Sequence, residues 1–391
     1  MRSLFSGLVP LFMLAHLSHH LVTALPVPLL PYIRDEFALD YTRAGFLISV
    51  FSVIYGFCQL PAGWLADHLG PRILLTLGIV GVGLTGLLVG LSHHYIVLII
   101  GLALMGIMGG GYHPASTAMI SAVVEPRTRG QAFGFHLVGG SFSYFLAPLI
   151  AAGIAVAWGW RGPFIAMAIP SIGIGILLHI ILRKRVPTQK TVTRDTVIPV
   201  EAARTPSHIR RLIAVVVLSS FTQSLLMAIV SFIPLFLVDT FSAGKETAAA
   251  SISLVYFMGL WAGPVSGYLS DRFGQVAIII IMCAIASVAI YFLNVAPYGF
   301  GTVSVLISIG IIMAFSSIMA QAYIVNQTSA RNRSTVLGFY FFGSMEGTGV
   351  LTPALGYVID RFGFSMSYTI SSVAIMAILI VCSSILWLNR K

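Results

Sequence analysis

Two sets of residues could do chemistry in this chain. Three histidines, His16, His19 and His20, stand within five residues in AHLSHHLVTALPVPLLP. Imidazole titrates near neutral pH, so such a set can carry protons, bind anions when charged, or ligate a metal when neutral. On a helix, His16 and His20 are four apart and share a face, with His19 beside them. The second set is a single carboxyl. Of twelve acidic residues, eleven fall in polar loops or at the ends of apolar runs, whereas Glu346 sits in the middle of one, in FYFFGSMEGTGVLTP. A charged side chain at the centre of a bilayer costs at least about 2.5–3.5 kcal/mol, so Glu346 must face a cavity or a partner. It reads as a proton-coupling or substrate-binding carboxylate; a protonated, hydrogen-bonded structural glutamate is the plainer alternative. Gly343, Gly347 and Gly349 around it predict a flexible or closely packed helix.

Further candidates lie elsewhere. His113 follows Gly109–Gly111 and precedes Pro114 in GGGYHPASTAM, a pattern that predicts a bend or a close helix contact. His136 sits in the next apolar run, and Tyr112, Tyr340, Gln321, Asn326 and Trp261 are weaker candidates for a polar lining. Cys58, Cys283 and Cys382 are far apart, with no CxxC and no metal-ligand spacing, and read as small hydrophobes.

The elements that must position these residues are apolar throughout. The 391 residues are 58% hydrophobic and 9% charged, against about 25% charged in soluble domains. Mean hydropathy is +0.96. A helix needs about 20 apolar residues to cross roughly 30 Å of hydrocarbon. Twelve runs meet that length, near 8–33, 43–66, 73–92, 95–121, 130–156, 162–182, 211–237, 248–269, 275–294, 298–325, 334–358 and 364–388. The first run is read as a retained span rather than a cleaved leader. The organisation expected is an all-α polytopic membrane protein: a six-helix bundle over 1–182, a cytoplasmic linker over 183–210 with a short interfacial helix near Ile198–Ala203, and a second six-helix bundle over 211–391.

With the N-terminus inside, the even-numbered turns and both termini hold 17 of the 22 basic residues; Arg34, Arg43, Arg161, Lys245 and Arg361 fall outside. This imbalance predicts both termini in the cytoplasm. The net charge of +10 is therefore a topology signal and not a nucleic-acid footprint.

The two halves align at a shift of 204 residues. Gly63, Asp67 and Gly70 map onto Gly267, Asp271 and Gly274; Arg127, Arg129, Gly134, Phe135 and Gly139 map onto Arg331, Arg333, Gly338, Phe339 and Gly343. His19 meets Gln223, a second polar residue at the same height, while Glu346 meets Phe142. Duplicated parallel halves place a substrate site at their interface near the membrane midplane.

The loop GWLADHLGPR at 63–72, its repeat GYLSDRFG at 267–274 and GWRGPF at 159–164 resemble the signature features of the major facilitator superfamily over essentially the whole chain. That resemblance implies a transporter working by alternating access, with opposing rotations of the two bundles. It also implies that Asp67 and Arg72, with Asp271 and Arg272 as counterparts, and Gly63, Gly70, Arg129 and Arg333 around them, bias the conformational state. His68 stands where a fixed basic residue is usual. HHLVTALPVPLLPYI and GGGYHPA are similar to the fosmidomycin-resistance group of exporters, which implies proton-driven efflux of a small, often anionic compound across a bacterial inner membrane. The arginine frequent in the fourth span of drug–proton antiporters is absent, with Leu102 near its place.

No GxxxxGK[ST], nucleophile elbow or HExxH occurs, so the reading is a non-enzyme without cofactor. Expected partners are a small-molecule substrate, protons and the lipid bilayer, acting on a monomer. Two alternatives stay open: a metal or metal-chelate transporter using His16, His19 and His20, and a non-transporting membrane sensor of the same fold.

Overall fold

The computed structural model describes residues 7–125, 128–185, 206–261, 265, 269, 272–328 and 330–388. Regular structure among these residues is helical, as long apolar segments must be where no water satisfies the backbone. The first run is broken into α1 (Val9–Thr23) and α2 (Pro26–Phe37). It is thus not the continuous helix the hydropathy pattern predicts. Pro26 and Pro28 remove amide donors that a continuous helix would use, although Leu25 itself keeps helical φ/ψ. α3 (Tyr41–Leu69) begins where Asp40 Oδ1 accepts from the Arg43 amide at 2.7 Å. α4 (Pro71–Thr76) leads through a π-helical turn, Leu77–Gly81, into α5 (Val82–Gly90). The fourth run divides at Gly111 into α6 (Tyr95–Gly110) and α7 (Tyr112–Val123), at the place where Gly109–Gly111 and Pro114 predict an irregularity. α8 (Arg129–Trp158) and α9 (Arg161–Arg185) follow. The interval 186–205, with the expected interfacial helix at Ile198–Ala203, lies outside the described residues.

α10 (Pro206–Phe241), α11 (Lys245–Phe257), α12 (Gln275–Phe292), α13 (Phe300–Gln327) and α14 (Ala330–Leu388) complete the chain. Ten stretches among the described residues are long and apolar enough to cross a membrane. The last of them, Val336–Trp387, has 52 residues, more than twice the length one crossing takes. Gly363 interrupts it with φ 73°, ψ 174°.

Two compact units emerge, Met1–Thr193 with Ile233–Ser253, and Arg194–Phe232 with Leu254–Lys391. The division is not a single cut near 183–210, because α10 passes from the second unit into the first at residue 233. In the first unit the core gathers Phe12, Leu75, Ile79, Tyr112 and Leu178. In the second it gathers Val215, Ile279, Cys283, Tyr340 and Cys382, so two of the three cysteines pack as hydrophobes.

The backbone repeats at the sequence's own shift. Left-handed residues occur at Ala38 and Ser242 (φ 48° and 54°), at Gly70 and Gly274 (84° and 79°), and at Gly159 and Gly363 (65° and 73°). Each pair is 204 residues apart. L-residues avoid this region unless a turn demands it, so three coincident turns support duplication of one unit.

The basic residues that fall outside the cytoplasmic count are largely neutralised. Arg34 pairs with Asp239 through two nitrogens, one at 2.8 Å, and Tyr41 donates to the same carboxylate at 2.6 Å. Lys245 meets Asp35 at 2.5 Å, and Arg43 lies 3.8 Å from Asp40. Glu36 accepts from Arg161 at 2.5 and 2.8 Å and from Trp160 Nε1 at 2.7 Å, so GWRGPF places Trp160 and Arg161, just past the left-handed Gly159, against the end of α2. Arg361 lies over the Tyr357 ring. Replacing Asp239 by alanine strips Arg34 and Tyr41 of their shared acceptor. A loss of about 1.5–3 kcal/mol is expected for hydrogen bonds to a charged group. It is to be read as a lower thermal inactivation temperature of the purified protein.

Candidate functional site

The histidines of α1 do not stand alone. α1 packs along α8 and against the π-helical turn and α7, which brings His136 and His113 to His16, His19 and His20. His16 stacks on His136 with ring centroids 4.1 Å apart, and lies 4.9 Å from His20 and 5.3 Å from His113. His20 lies 4.7 Å from His19 and 5.3 Å from His113. Three tyrosines wall the group: Tyr112 stacks on His19 at 4.2 Å, Tyr144 lies 4.8 Å from His20, and Tyr55 lies 6.2 Å from His19. His16, His19, His20 and His136 are buried, whereas His113 is half-buried.

Hydrogen bonds set the ring orientations. A carbonyl can only accept, so each imidazole nitrogen facing one carries the proton. His16 Nδ1 donates to His136 O at 2.8 Å, His136 Nδ1 to Phe12 O at 3.1 Å, and His19 Nδ1 to Gly78 O at 2.9 Å. The neutral rings then present Nε2 as an acceptor. That of His19 takes a long bond of 3.4 Å from Tyr55, and that of His16 is buried with no partner. His20 Nδ1 lies 3.1 Å from Thr23 Oγ1.

Glycines make this packing possible. A Cβ at Gly140 would lie 2.5 Å from His16 Cε1, and one at Gly139 would overlap Met13 O. Gly78, inside the π-helical turn, supplies the carbonyl for His19, and a Cβ there would lie 3.0 Å from Tyr112 Cβ. π-helical turns leave irregular carbonyls and recur at functional sites.

The second half repeats the arrangement with different chemistry. At a shift of 204, His16, His19, His20, His113 and His136 become Ser220, Gln223, Ser224, Ser317 and Tyr340. The contact itself is kept: Ser220 Oγ donates to Tyr340 O at 3.3 Å, as His16 donates to His136 O. Every titratable ring is thus replaced by a hydroxyl or an amide with no charge to lose near neutral pH.

Glu346 lies on α14, between Ser344 and Gly347, which meet α10. Its Oε1 is buried without a partner, as is Oε1 of Gln223 on α10. The two helices meet closely nearby. Ser224 Oγ donates to Ser344 O at 3.0 Å, and a methyl at Gly347 would overlap Ser224 Oγ. The glycines around Glu346 therefore include one that serves close approach. Tyr340 is fully buried in the second unit's core, and Trp261 is exposed. Gln321 bonds to Ser317 on its own helix at 3.0 Å.

Of the residues expected to govern conformation, Gly70 adopts the left-handed turn between α3 and α4. Arg72 opens α4 with a buried Nε that has no partner. Arg272 lies over the Phe273 ring, and His68 Nδ1 donates to Trp64 O at 2.8 Å. Asp271 lies outside the described residues, as do the side chains of Gly63, Asp67, Arg129 and Arg333. Sequence patterns missed Tyr55, Tyr144, Gly78 and Gly140. The pair Gly139–Gly140, three and four residues beyond His136, is the signal that could have marked the close contact with α1.

Comparison with known proteins places the chain. The chain is 31% identical over 163 residues to a probable L-galactonate transporter of Escherichia coli K12, a match spanning 42% of this chain and 36% of that one. It is 26% identical over 259 residues to a probable sulfoacetate transporter of Cupriavidus necator, covering 62% of this chain and 59% of that one. These two matches thus span less than two thirds of their relatives. It is 24% identical over 377 residues to the fosmidomycin resistance protein of Escherichia coli K12, covering 93% and 89%. Its fold is similar to that of a POT family transporter solved with 5-aminolevulinic acid, with TM-score 0.81 at 12% identity over 98% of this chain and 96% of that one. The sequence profile described as Major Facilitator Superfamily matches residues 12–347, and the chain belongs to that family of membrane transporters.

Proposed function

We propose that this chain is a secondary transporter that moves small organic anions outward in exchange for protons by alternating access. In this reading it has twelve spans in two six-helix bundles, with both termini in the cytoplasm. The observation that carries it is Glu346, a lone acidic residue within an apolar helix with Oε1 buried and unpartnered. A carboxyl so placed has no structural ion pair to account for it among the described residues, and proton carriage is the common use of such a group. The five-histidine cluster adds a second set of proton-accepting nitrogens in the other half. The names of the relatives support an acidic substrate: L-galactonate, sulfoacetate and fosmidomycin share an acid group. Asp67, Arg72, Arg129, Asp271, Arg272 and Arg333, with Gly63 and Gly70, are proposed to bias the conformational state from the cytoplasmic loops.

The test is flux in inside-out membrane vesicles with an imposed pH gradient, acid inside, using labelled sugar acids, sulfonates, phosphate monoesters and phosphonates. Accumulation of one of these classes that collapses with a protonophore is expected. Transport that ignores the pH gradient for every solute carried would remove proton coupling from the account.

A further inference from the structure

We infer that His16, His20 and His113 form a binding site for a late first-row divalent cation, with zinc the best fit. Nitrogens of these three residues lie within 4.8 Å of one another. A tetrahedral ion with metal–nitrogen bonds of about 2.0–2.1 Å places its ligand atoms about 3.4 Å apart. With His16 held by His136, the remaining distance is to be closed by rotation of the His20 and His113 rings.

Three observations converge on an ion. First, the ring of His16 is already oriented as a ligand. Its Nδ1 proton is spent on His136 O at 2.8 Å, the outer-shell bond that metal-bound histidines make. Second, its Nε2 is buried with no partner, and His16 is 3% exposed, so a desolvated lone pair is left unsatisfied. Third, His20 has Nδ1 engaged by Thr23 at 3.1 Å, which leaves its Nε2 available as well.

The donor set chooses the metal. Imidazole suits zinc, copper, nickel and iron, whereas calcium and magnesium need oxygen ligands. Three protein ligands leave one position open for a water molecule or substrate group. His19, which sequence spacing would include, is not a ligand here: its Nδ1 is held by Gly78 O and its Nε2 faces Tyr55. The second half offers Ser220, Ser224 and Ser317 at the equivalent positions and has no such site.

Binding is to be measured with zinc chloride by isothermal titration on the full chain in detergent. The affinity tag is removed, and a His93→Gln/His94→Gln background clears the exposed pair. One ion per chain is expected. His113→Gln and His20→Gln should each weaken binding at least about tenfold, the lower bound for losing even an outer-shell partner. His19→Gln and His179→Gln should retain it. Absence of saturable binding, survival of binding in His113→Gln, or equal loss in His19→Gln would overturn the site. If a variant loses its monodisperse elution, X-ray absorption on the zinc-loaded background protein decides: three imidazole scatterers support the site and their absence refutes it. Because binding is read without flux, its failure is separate from failure of the transport reading.

Discussion

Glu346→Gln is expected to abolish pH-gradient-driven accumulation while leaving substrate exchange intact. Glutamine keeps the shape of the side chain and its hydrogen-bonding capacity but cannot bind and release the proton. Oε1 of Glu346 has no partner to lose, so the substitution removes chemistry without breaking a bond that holds α14 to α10. Accumulation in the variant should fall to the level seen without a gradient. Counterflow, in which unlabelled substrate on one side draws labelled substrate across, needs no net proton movement. It should stay within about threefold of wild type, or about 0.7 kcal/mol. A parallel loss of both activities would make Glu346 a substrate-binding or structural group instead.

Gly140→Ala is expected to reduce transport by a different route. The added methyl lies 2.5 Å from Cε1, 2.7 Å from Nε2 and 2.9 Å from Nδ1 of His16. That ring cannot yield locally, because it is bonded to His136 O and stacked on the His136 ring. Overpacking of this kind costs about 1–3 kcal/mol. It is relieved by parting α1 from α8, which disperses the cluster. A drop in thermal stability together with transport reduced by about tenfold or more, the equivalent of 1.4 kcal/mol, is expected. Gly153→Ala on the same helix is the internal comparison. A Cβ there meets nothing within 4 Å, and alanine favours the helix by about 1 kcal/mol, so stability and flux should hold. Equal damage from both substitutions would show that helix flexibility, not room for His16, is what the glycines supply.

The membrane character of the chain was legible because it is written in composition, and the duplication because it is written in one arithmetic shift. That shift held in the backbone at Ala38, Gly70 and Gly159 and their counterparts, where a turn forces a left-handed residue. Less legible was which helices touch. The i, i+4 spacing joined His16 to His20, but no local pattern says that His136 and His113 come from α8 and α7 to meet them. Contacts between helices are set by packing of small residues, and here by Gly139 and Gly140, whose role appears only once their neighbours are known. The π-helical turn at Leu77–Gly81 has no sequence marker beyond its glycines, yet it supplies the carbonyl that holds His19. The break near Pro26 follows from the prolines, whereas hydropathy alone joins α1 to α2.

The contrast between the halves gives these results their common sense. The same hydrogen bond fastens α1 to α8 and α10 to α14, with imidazole in one half and hydroxyl in the other. The five-histidine cluster belongs to the first half of the repeat and the unpaired Glu346 carboxyl to the second. Proton coupling in this account depends on groups that the duplication did not copy.

The most direct measurement is proton movement driven by substrate alone. Purified protein is reconstituted into vesicles holding a pH-sensitive dye, with no initial pH gradient and the membrane potential clamped, and an outward gradient of the organic anion identified in the flux panel is imposed. The account predicts acidification of the lumen as substrate leaves and protons enter, present in wild type and absent in Glu346→Gln. Substrate efflux with no accompanying pH change in wild type would contradict it.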